Sequence, residues 1–325
     1  MKKKTIRAWI IVGISALLVF VIGTLYFTIP YCVFKESESI AVCDKDVGVI
    51  RVEGNSLKIL QITDLHVNGA LDMPLTFDVI KALVNRSEPD LIIVTGDIFS
   101  NGCSEDDVDT FVDFMGRLGL PWASILGNHD DETPYSLEEL SAILASAKNS
   151  LFKRGDLTDL YGNYFYNVKF ADGEEYKFIF MDSRSRGFTD ESVEFYTNAV
   201  QSSSADGGTV AESFLFFHIP LPETVEAIDE YMNGRADGTG DIRETICNQK
   251  TDVGFFEKVV ELGSTKAMIY GHDHYNDAKT NYLGVDFNYG TKTGTSAGNM
   301  IGLVGGTVYT LNSNGEYSVQ DIIIL

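Results

Sequence analysis

Residues 57–66 read LKILQITDLH, residues 91–97 read LIIVTGD and residues 124–130 read SILGNHD. Each segment is a short apolar run that is followed at once by Asp, Asn or His. Between these segments, residues 75–85 and 108–118 carry apolar side chains at helical spacing. Short apolar strands that alternate with amphipathic helices are typical of parallel sheets with crossover helices. We therefore predict an α/β fold for this part of the chain.

The alternation continues beyond residue 130. Ser136 and Glu139 are spaced as a capping box at the start of a third predicted helix, residues 136–147. The second half is richer in strands, and Ala171-Asp-Gly173 indicates a hairpin turn between two of them. The further predicted elements are strands at 164–170, 177–181, 213–217, 267–270, 285–289, 307–311 and 319–324, and helices at 191–201 and 254–262.

The N-terminus differs in kind from the rest of the chain. Residues 1–7 contain three Lys and one Arg, and residues 8–29 then contain no charged side chain. A helix of that length can cross about 30 Å of hydrocarbon, and the positive cluster predicts that the N-terminus lies inside the cell. An uncleaved signal anchor is favoured over a cleaved signal peptide, because no small-residue cleavage site follows the apolar run.

This interpretation divides the chain into a signal anchor or transmembrane helix at residues 1–30, a connector at 31–54 and one globular domain at 55–325. We expect a single-pass protein of the cell membrane with its globular domain outside the cytoplasm. Cleavage of the N-terminal segment would instead give a secreted protein with the same domain.

The composition allows a sizeable core but argues against a nucleic-acid partner. Of the 325 residues, 44% are apolar, and the formal net charge at pH 7 is −22. A strongly acidic exterior repels polyanions, so nonspecific binding to nucleic acid is unlikely on electrostatic grounds. A phosphate-bearing ligand would need a local positive charge, which metal ions can supply. The cysteines fit no zinc ribbon; Cys32–Cys43 and Cys103–Cys247 disulfides, or free thiols, are both compatible with an exported domain.

Five histidines occur in the chain, and each lies at or near the end of an apolar, strand-like run. In α/β folds, ligand sites form at the carboxyl ends of strands. One histidine in such a place is usually structural, but five of five indicate a shared site. The five are His66, His129, His218, His272 and His274.

Oxygen-bearing side chains accompany these histidines. Asp64 lies two residues before His66, so both side chains can face the same way in an extended segment. Asp97 ends the second quoted segment, and Asn128 directly precedes His129. Oxygen ligands mixed with imidazoles suit Mn, Fe or Zn better than Ca or Mg. The residue types therefore predict a metal centre.

The complete motif series resembles that of the calcineurin-like metallophosphoesterase superfamily. It consists of Asp64-x-His66, Gly96-Asp97, Gly127-Asn128-His129-Asp130, His218 after a strand, and Gly271-His272-x-His274. Three more stretches are similar to a branch of small phosphatases related to purple acid phosphatases. These are HIPLPE at 218–223, GHDHYND at 271–277 and YGTKTG at 289–294. The resemblance covers about residues 57–295 and rests on a specific set of motifs.

The resemblance implies a four-layer α/β/β/α sandwich of two mixed sheets that binds two metal ions. The implied ligands are Asp64, His66 and His274 for one metal, Asn128, His218 and His272 for the other, and Asp97 as the bridge between them. His129 would contact the substrate phosphate and protonate the leaving oxygen. Asp130 would orient His129 through a hydrogen bond.

One position departs from the purple enzymes. Their iron-binding tyrosine, three residues after the bridging aspartate, is replaced here by Ser100. His66 would fill the vacated place, so we expect neither a purple colour nor an obligatory ferric ion. Two metal ions of whichever kind would lower the pKa of a bridging water and hold the resulting hydroxide in line with phosphorus.

The expected reaction is therefore hydrolysis of phosphate esters by a metal-bridging hydroxide, with phosphomonoesters as the first expectation. A phosphodiesterase or nucleotidase of the same fold is the nearest alternative. A non-catalytic metal-binding receptor or scaffold is a further alternative, although such proteins normally lose ligands and none is missing here. Weaker candidates near the site are Arg184 and Arg186 as anion clamps or surface residues, Tyr275, Asn276 and Lys292 as pocket residues, and Ser183 as a structural residue.

Overall fold

Two β-sheets form the centre of the structure. The computed structural model describes residues 40–69, 72–155, 161–202, 210–298 and 302–325. The strands in these ranges are β1 (Ala41–Asp44), β2 (Val49–Val52), β3 (Ser56–Ile62), β4 (Leu91–Thr95), β5 (Trp122–Ile125), β6 (Tyr164–Phe170), β7 (Glu175–Phe180), β8 (Glu212–Phe216), β9 (Gly238–Thr239), β10 (Thr265–Tyr270), β11 (Lys279–Tyr282), β12 (Val285–Tyr289), β13 (Gly305–Asn312) and β14 (Tyr317–Ile323). The helices are α1 (Met73–Ser87), α2 (Glu105–Arg117), α3 (Leu137–Ser146), α4 (Asp190–Gln201), α5 (Thr224–Met232) and α6 (Phe255–Leu262).

The smaller sheet has the strand order β14-β13-β3-β4-β5. Strands β3, β4 and β5 are parallel, with Ile59 opposite Leu91 and Ile92 opposite Trp122. Helices α1 and α2 form the crossovers, and α1 packs on β3 and β13. The predicted alternation of strands and crossover helices over the first half is therefore confirmed. The capping box predicted from Ser136 and Glu139 also starts α3.

The larger sheet has the order β1-β2-β6-β7-β8-β10-β12-β11-β9. Its central strands β7, β8, β10 and β12 are parallel, whereas β6 pairs with β7 and β11 with β12 in antiparallel fashion. Helices α4, α5 and α6 pack on β7, β11 and β10 respectively. Both sheets are therefore mixed, as expected.

The two sheets face each other across an aromatic and polar core. The ring of Phe214 on β8 lies 5.3 Å from the ring of Tyr317 on β14. The side-chain amide of Gln61 on β3 donates a hydrogen bond to the carbonyl oxygen of Tyr270 on β10, at 3.1 Å. Helices cover the smaller sheet in the first half and the larger sheet in the second half, which gives the α/β/β/α layer order. Just beyond this contact β3 and β10 end, and the loops that follow them contain the predicted site residues Asp64, His66, His272 and His274.

Some elements were not anticipated from the sequence. The predicted connector at residues 31–54 contains the hairpin β1–β2, and β2 pairs in parallel with β6 of the larger sheet. Helix α5 was also missed, because Pro220 and Pro222 precede it and interrupt the helical pattern.

The structure leaves Cys103 and Cys247 as free thiols, so the bridge considered between them is not formed.

The predicted membrane segment at residues 8–29 lies outside the described residues. Within the parts of the chain that the structure describes, no helix has the length and apolar character required to cross a bilayer.

Candidate metal centre

The predicted site residues lie in loops that follow β3, β4, β5, β8 and β10. Four of them have left-handed backbone conformations: Asp64, His66, Asp97 and His272 have φ values of 54°, 48°, 49° and 80°. Residues other than glycine adopt the left-handed backbone conformation at a cost in free energy, and such strain is concentrated at functional sites. The loops therefore hold these four side chains in orientations that an unstrained strand end would not give.

Two glycines allow the loops to approach closely. At Gly96, with φ of 88°, an added Cβ would lie 2.6 Å from Cγ of His218. At Gly127, an added Cβ would lie 2.2 Å from Oδ1 of Asp97. Because real Cβ atoms do not come this near to other atoms, a side chain at either position would push Asp97 or His218 away.

The first cluster of ligand types consists of Asp64, His66 and His274, whose ligand atoms all lie within 4.8 Å of one another. The Nε2 atoms of His66 and His274 are 3.0 Å apart. Nε2 of His274 is 3.6 Å from Oδ1 of Asp64. This is the trio expected for one metal.

The second cluster consists of Asp97, His218 and His272, again with ligand atoms within 4.8 Å. Nε2 of His218 is 3.0 Å from Oδ2 of Asp97 and 3.3 Å from Nδ1 of His272. Oδ2 of Asp97 is also 3.7 Å from Nε2 of His66, which belongs to the first cluster. Asp97 therefore belongs to the second cluster and also approaches the first, which is the position that the family resemblance implies for a bridging ligand.

Two buried oxygen atoms of the predicted ligands lack protein partners among the described residues, which fits the binding of cations. They are Oδ1 of Asp64 and Oδ1 of Asn128. Asn128 is flanked by two contacts to Asp97, since Gly127 packs against that carboxylate and the N–H of His129 donates to its Oδ1 at 2.9 Å. A buried carboxylate or amide oxygen without a donor is costly unless a cation or water satisfies it.

The electrostatics of the site also favour cations. Burial alone would lower the pKa of His218, but Asp97 and Asp64 overcome it and raise this pKa to about 10. Burial opposes ionisation of Asp64, yet its contacts with His274 and His218 hold its pKa well below its usual range. Burial lowers the pKa of His66 to about 3 and that of His272 to about 4, so both rings are neutral, as metal ligation requires. The negative charge that protonates His218 would equally attract a metal ion.

His129 adjoins the first cluster but is oriented differently from the prediction. Its ring centroid lies 5.3 Å from that of His66. Nδ1 of His129 pairs with Oε1 of Glu132 at 2.9 Å, and Asp130 is not its partner. Asp130 is fully buried, and its two oxygens accept hydrogen bonds from the backbone N–H groups of Phe99 and Gly127. The predicted role of orienting His129 therefore falls to Glu132, while Asp130 joins the loops that carry Asp97 and Asn128.

Residues 57–276 match the sequence profile of the calcineurin-like phosphoesterase family. The chain belongs to this family. It is 24% identical to the probable inactive purple acid phosphatase 14 of Arabidopsis thaliana, over 71% of this chain and 69% of the relative. It is 26% identical to phosphatase DCR2 of Saccharomyces cerevisiae, over 71% of this chain and 47% of the relative. A dimetal phosphatase from Danio rerio has the same fold, with a TM-score of 0.56 and 13% identity over 82% of this chain and 95% of that one.

The family and the geometry together define the class of protein. Membership of the calcineurin-like phosphoesterase family supports a hydrolase and implies phosphate-ester substrates. The two candidate clusters imply a dinuclear metal cofactor. The resemblance to purple-acid-phosphatase-related enzymes that the motifs predicted is confirmed.

Further residues of the phosphoesterase form hydrogen bonds that position the residues of the two clusters. Lys292 is 3% exposed, and its Nζ donates to the backbone oxygen of Asp64 at 2.7 Å. Nδ1 of His218 pairs with the backbone oxygen of Thr95 at 2.8 Å, which turns Nε2 toward Asp97. Ser100, at the position of the tyrosine in purple enzymes, is buried and places its hydroxyl near the backbone oxygen of His66.

The residues that the sequence indicated less strongly make different kinds of contact. Ser183 accepts the N–H of Ile219 and is structural, as expected. Asn276 accepts two backbone N–H groups of the loop at residues 243–244 and thereby fixes the loop that carries His272 and His274. Arg186 is exposed, whereas Arg184 lines a cavity beside Asn128.

Proposed function

We propose that the chain is a dinuclear phosphomonoesterase anchored in the cell membrane with its catalytic domain outside the cytoplasm. The observation that carries the activity is the meeting of two histidine–carboxylate trios around Asp97. One metal would be held by Asp64, His66 and His274, and the other by Asn128, His218 and His272, with Asp97 shared. When bound, the two ions supply activation of water and neutralisation of the phosphoryl charge. The mixture of imidazole nitrogens with carboxylate and amide oxygens favours Mn, Fe or Zn.

The protein's own groups have separate tasks in this proposal. Asp97 fixes the spacing of the two trios. His129 pairs through Nδ1 with Glu132, and no hydrogen bond to its Nε2 is found in the described part of the chain, so Nε2 can contact the ester phosphate and protonate the leaving oxygen. The monoester preference is favoured by the name of the yeast relative, a phosphatase. Diesters are the nearest alternative, since one relative of partial coverage is named a probable cyclic nucleotide phosphodiesterase.

Three Arabidopsis relatives are named probable inactive purple acid phosphatases. A second candidate function for this chain is therefore a non-catalytic one, in which the fold is retained without hydrolysis. Against it, each position at which the family motif requires a histidine, carboxylate or amide is occupied by one here. Measured activity distinguishes the two candidates.

The test uses the full chain, stripped of metal with a chelator and then supplied separately with Mn, Fe or Zn. Hydrolysis of p-nitrophenyl phosphate and of bis(p-nitrophenyl) phosphate is measured alongside the metal content. We expect two equivalents of metal per chain, and faster turnover of the monoester. The Asp97→Ala variant should lose metal and at least about a thousandfold in kcat, of the order seen when a metal-centred catalytic group is removed. Asp113→Ala, at an exposed site on α2, is the matched control. Full activity in Asp97→Ala would exclude the proposed site.

The proposed location is tested through the exposed thiol of Cys247. A membrane-impermeant maleimide added to intact cells should label the wild-type chain, and the Cys247→Ser variant should lose that part of the label. Labelling of Cys247 only after the cells are lysed would contradict an extracytoplasmic domain. The activity proposal does not depend on this result.

A further inference from the structure

A small cavity opens directly beside Asn128. It has a volume of about 80 Å³, and its polar lining includes Asn128, Asp131, Asp182, Arg184 and Ser185. The cavity thus adjoins a proposed metal ligand on one side and carries a guanidinium group on the other. None of the steps assigned to the metal centre uses Arg184.

Arg184 is held in a fixed position. Its backbone N–H donates to Oδ1 of Asp182 at 2.8 Å, and its Nε donates to Oδ2 of the same carboxylate at 3.0 Å. Asp182 is only 1% exposed, and its own N–H donates to the side chain of Asn163. Arg184 also has a left-handed φ of 48°, which the two hydrogen bonds to Asp182 stabilise. Its guanidinium carbon lies 5.7 Å from the ring centre of Tyr161.

Within the described ranges, the terminal donors of Arg184 have no protein partner. A guanidinium group has five N–H donors, and Asp182 uses the one on Nε. In the described part of the chain, no hydrogen bond engages the terminal nitrogens of Arg184, and 31% of its side chain is exposed. A planar pair of N–H donors matches the two oxygens of a carboxylate or phosphate. Arg184 lines the cavity, so these donors lie on a residue that an anion in the cavity can reach.

The charges around the cavity limit what can bind. Asp182 offsets the charge of Arg184 in part, and Asp131 places a second carboxylate at the exposed side of the cavity. Because Asp131 is exposed, water and salt screen its repulsion more than they screen the contact between half-buried Arg184 and buried Asp182. Binding of a small anion therefore depends on direct hydrogen bonds from Arg184 rather than on a general positive field.

We propose that this cavity, the Arg184 subsite, binds a second anionic group of a small substrate whose ester phosphate lies at the metal centre. The second group is a carboxylate or another phosphate within the same molecule. The proposal rests on the proposed phosphoesterase function and specifies its substrate class as small, multiply anionic phosphate esters.

The first test compares matched substrates with the wild-type, metal-loaded chain. 3-Phosphoglycerate is paired with glycerol 3-phosphate for a carboxylate, and fructose 1,6-bisphosphate with fructose 6-phosphate for a second phosphate. We expect kcat/KM to be about tenfold higher or more for the doubly anionic member of at least one pair, as for a charge-assisted hydrogen-bonded contact. The pair that shows the preference identifies which anion the subsite takes.

The second test uses variants and the ratio of kcat/KM within the preferred pair. Arg184→Gln should reduce this ratio about tenfold, mainly through KM of the doubly anionic substrate. Arg186→Gln removes the same charge two residues away, on an exposed side chain outside the cavity lining, and should leave the ratio unchanged. Asp131→Asn should raise the ratio by about two- to threefold, because it removes a screened repulsion.

The outcomes separate failure of the subsite from failure of the proposed function. If neither these substrates nor p-nitrophenyl phosphate is hydrolysed, the proposed function fails, whereas hydrolysis of p-nitrophenyl phosphate alone excludes the subsite and leaves the function standing. If both members are hydrolysed equally well by the wild-type chain, the subsite is excluded while the function stands. If Arg184→Gln slows both members of a pair equally, Arg184 contacts the reacting phosphate and the subsite is also excluded. The wild-type comparison needs no variant, so misfolding of Arg184→Gln would not leave the proposal untested.

Discussion

The Glu132 carboxylate lies 2.9 Å from Nδ1 of His129, three residues earlier in the chain. The short 3-10 helix at Asp130–Glu132 brings the two side chains to the same face. The other oxygen of Glu132 accepts the backbone N–H of Asn101 at 2.7 Å. Glu132 therefore links the loop after β4 to the loop after β5 and sets the orientation of the His129 ring.

Replacement of Glu132 by Gln should lower kcat on p-nitrophenyl phosphate by about 10- to 100-fold, the range for groups that orient a catalytic or ligating imidazole. The amide can still accept the hydrogen bond, but it cannot stabilise a protonated imidazole by charge. Glu138→Gln is the control, since Glu138 is exposed and pairs with Arg154 at 3.1 Å. Equal kcat values for the two variants would show that Glu132 has no orienting role. Partial recovery in Glu132→Asp would support it.

Introduction of a methyl group at Gly127 should damage the metal centre without any change in a ligand. The added Cβ would lie 2.4 Å from the backbone N and 2.2 Å from Oδ1 of Asp97, so Asp97 must move. We expect Gly127→Ala to retain less than two metal equivalents and to lose about 1–3 kcal/mol of unfolding free energy, as for overpacking. At Gly54 the added Cβ would lie 3.3 Å from the end of a flexible Ile40 side chain and 4.0 Å from the backbone oxygen of Ser56, which is an ordinary contact distance. Metal content equal to that of Gly54→Ala would contradict the expectation.

The sequence was informative wherever local pattern and strand ends determine the structure. The strands that end before Asp64, Asp97 and His218 were predicted because each is a short apolar run with an abrupt polar end. Residues at the carboxyl ends of parallel strands were expected to lie close together. Their convergence also requires the two sheets to pack on each other, because β3 and β4 belong to the smaller sheet and β8 and β10 to the larger one. The family motifs then assigned each residue to a trio.

What the sequence did not reveal depends on contacts between distant segments. Strand β2 has four residues, and its pairing with β6 joins positions more than a hundred residues apart. Asp130 was predicted as the partner of His129, but the N–H groups of Phe99 and Gly127 occupy both oxygens of Asp130. The i,i+3 spacing of His129 and Glu132 was the available signal. Arg184 was indistinguishable from exposed Arg186 until the buried Asp182 was located beside it.

Loss of the capping box at the start of α2, a crossover helix of the smaller sheet, should destabilise the protein. The side chain of Ser104 accepts the N–H of Asp107, and the Asp107 carboxylate accepts the N–H of Ser104. We expect Ser104→Ala to lower the unfolding free energy by about 1 kcal/mol, measured by urea denaturation. Ser146→Ala, near the end of α3, removes a hydroxyl that contacts only the carbonyl of Ile143 and should change stability by less than about 0.5 kcal/mol. Equal effects would argue against a contribution from the cap.

The ionisation of Asp182 should make the unfolding free energy depend on pH, and this can be measured without metal or substrate. Burial raises the pKa of Asp182 to about 6, although its contacts with Arg184 act in the opposite direction. A carboxyl group whose folded-state pKa exceeds its unfolded value binds its proton more tightly in the folded protein. Its contribution to stability is therefore complete below the unfolded pKa of about 4 and is lost as the pH rises through about 6.

Asp182→Asn cannot ionise, so it escapes this loss. Relative to the wild-type chain, the variant should gain unfolding free energy between pH 4 and pH 7, by up to about 3 kcal/mol for a shift of about two pKa units. The measurement is urea denaturation at pH 4, 5, 6 and 7 with a chelator present, with the difference between variant and wild type taken at each pH. Asp113→Asn, which replaces a carboxyl that is 77% exposed, should show a flat difference across the same range. A difference for Asp182→Asn that falls as pH rises would mean that the ion pair with Arg184 outweighs burial, because the folded protein would then stabilise the charged carboxylate.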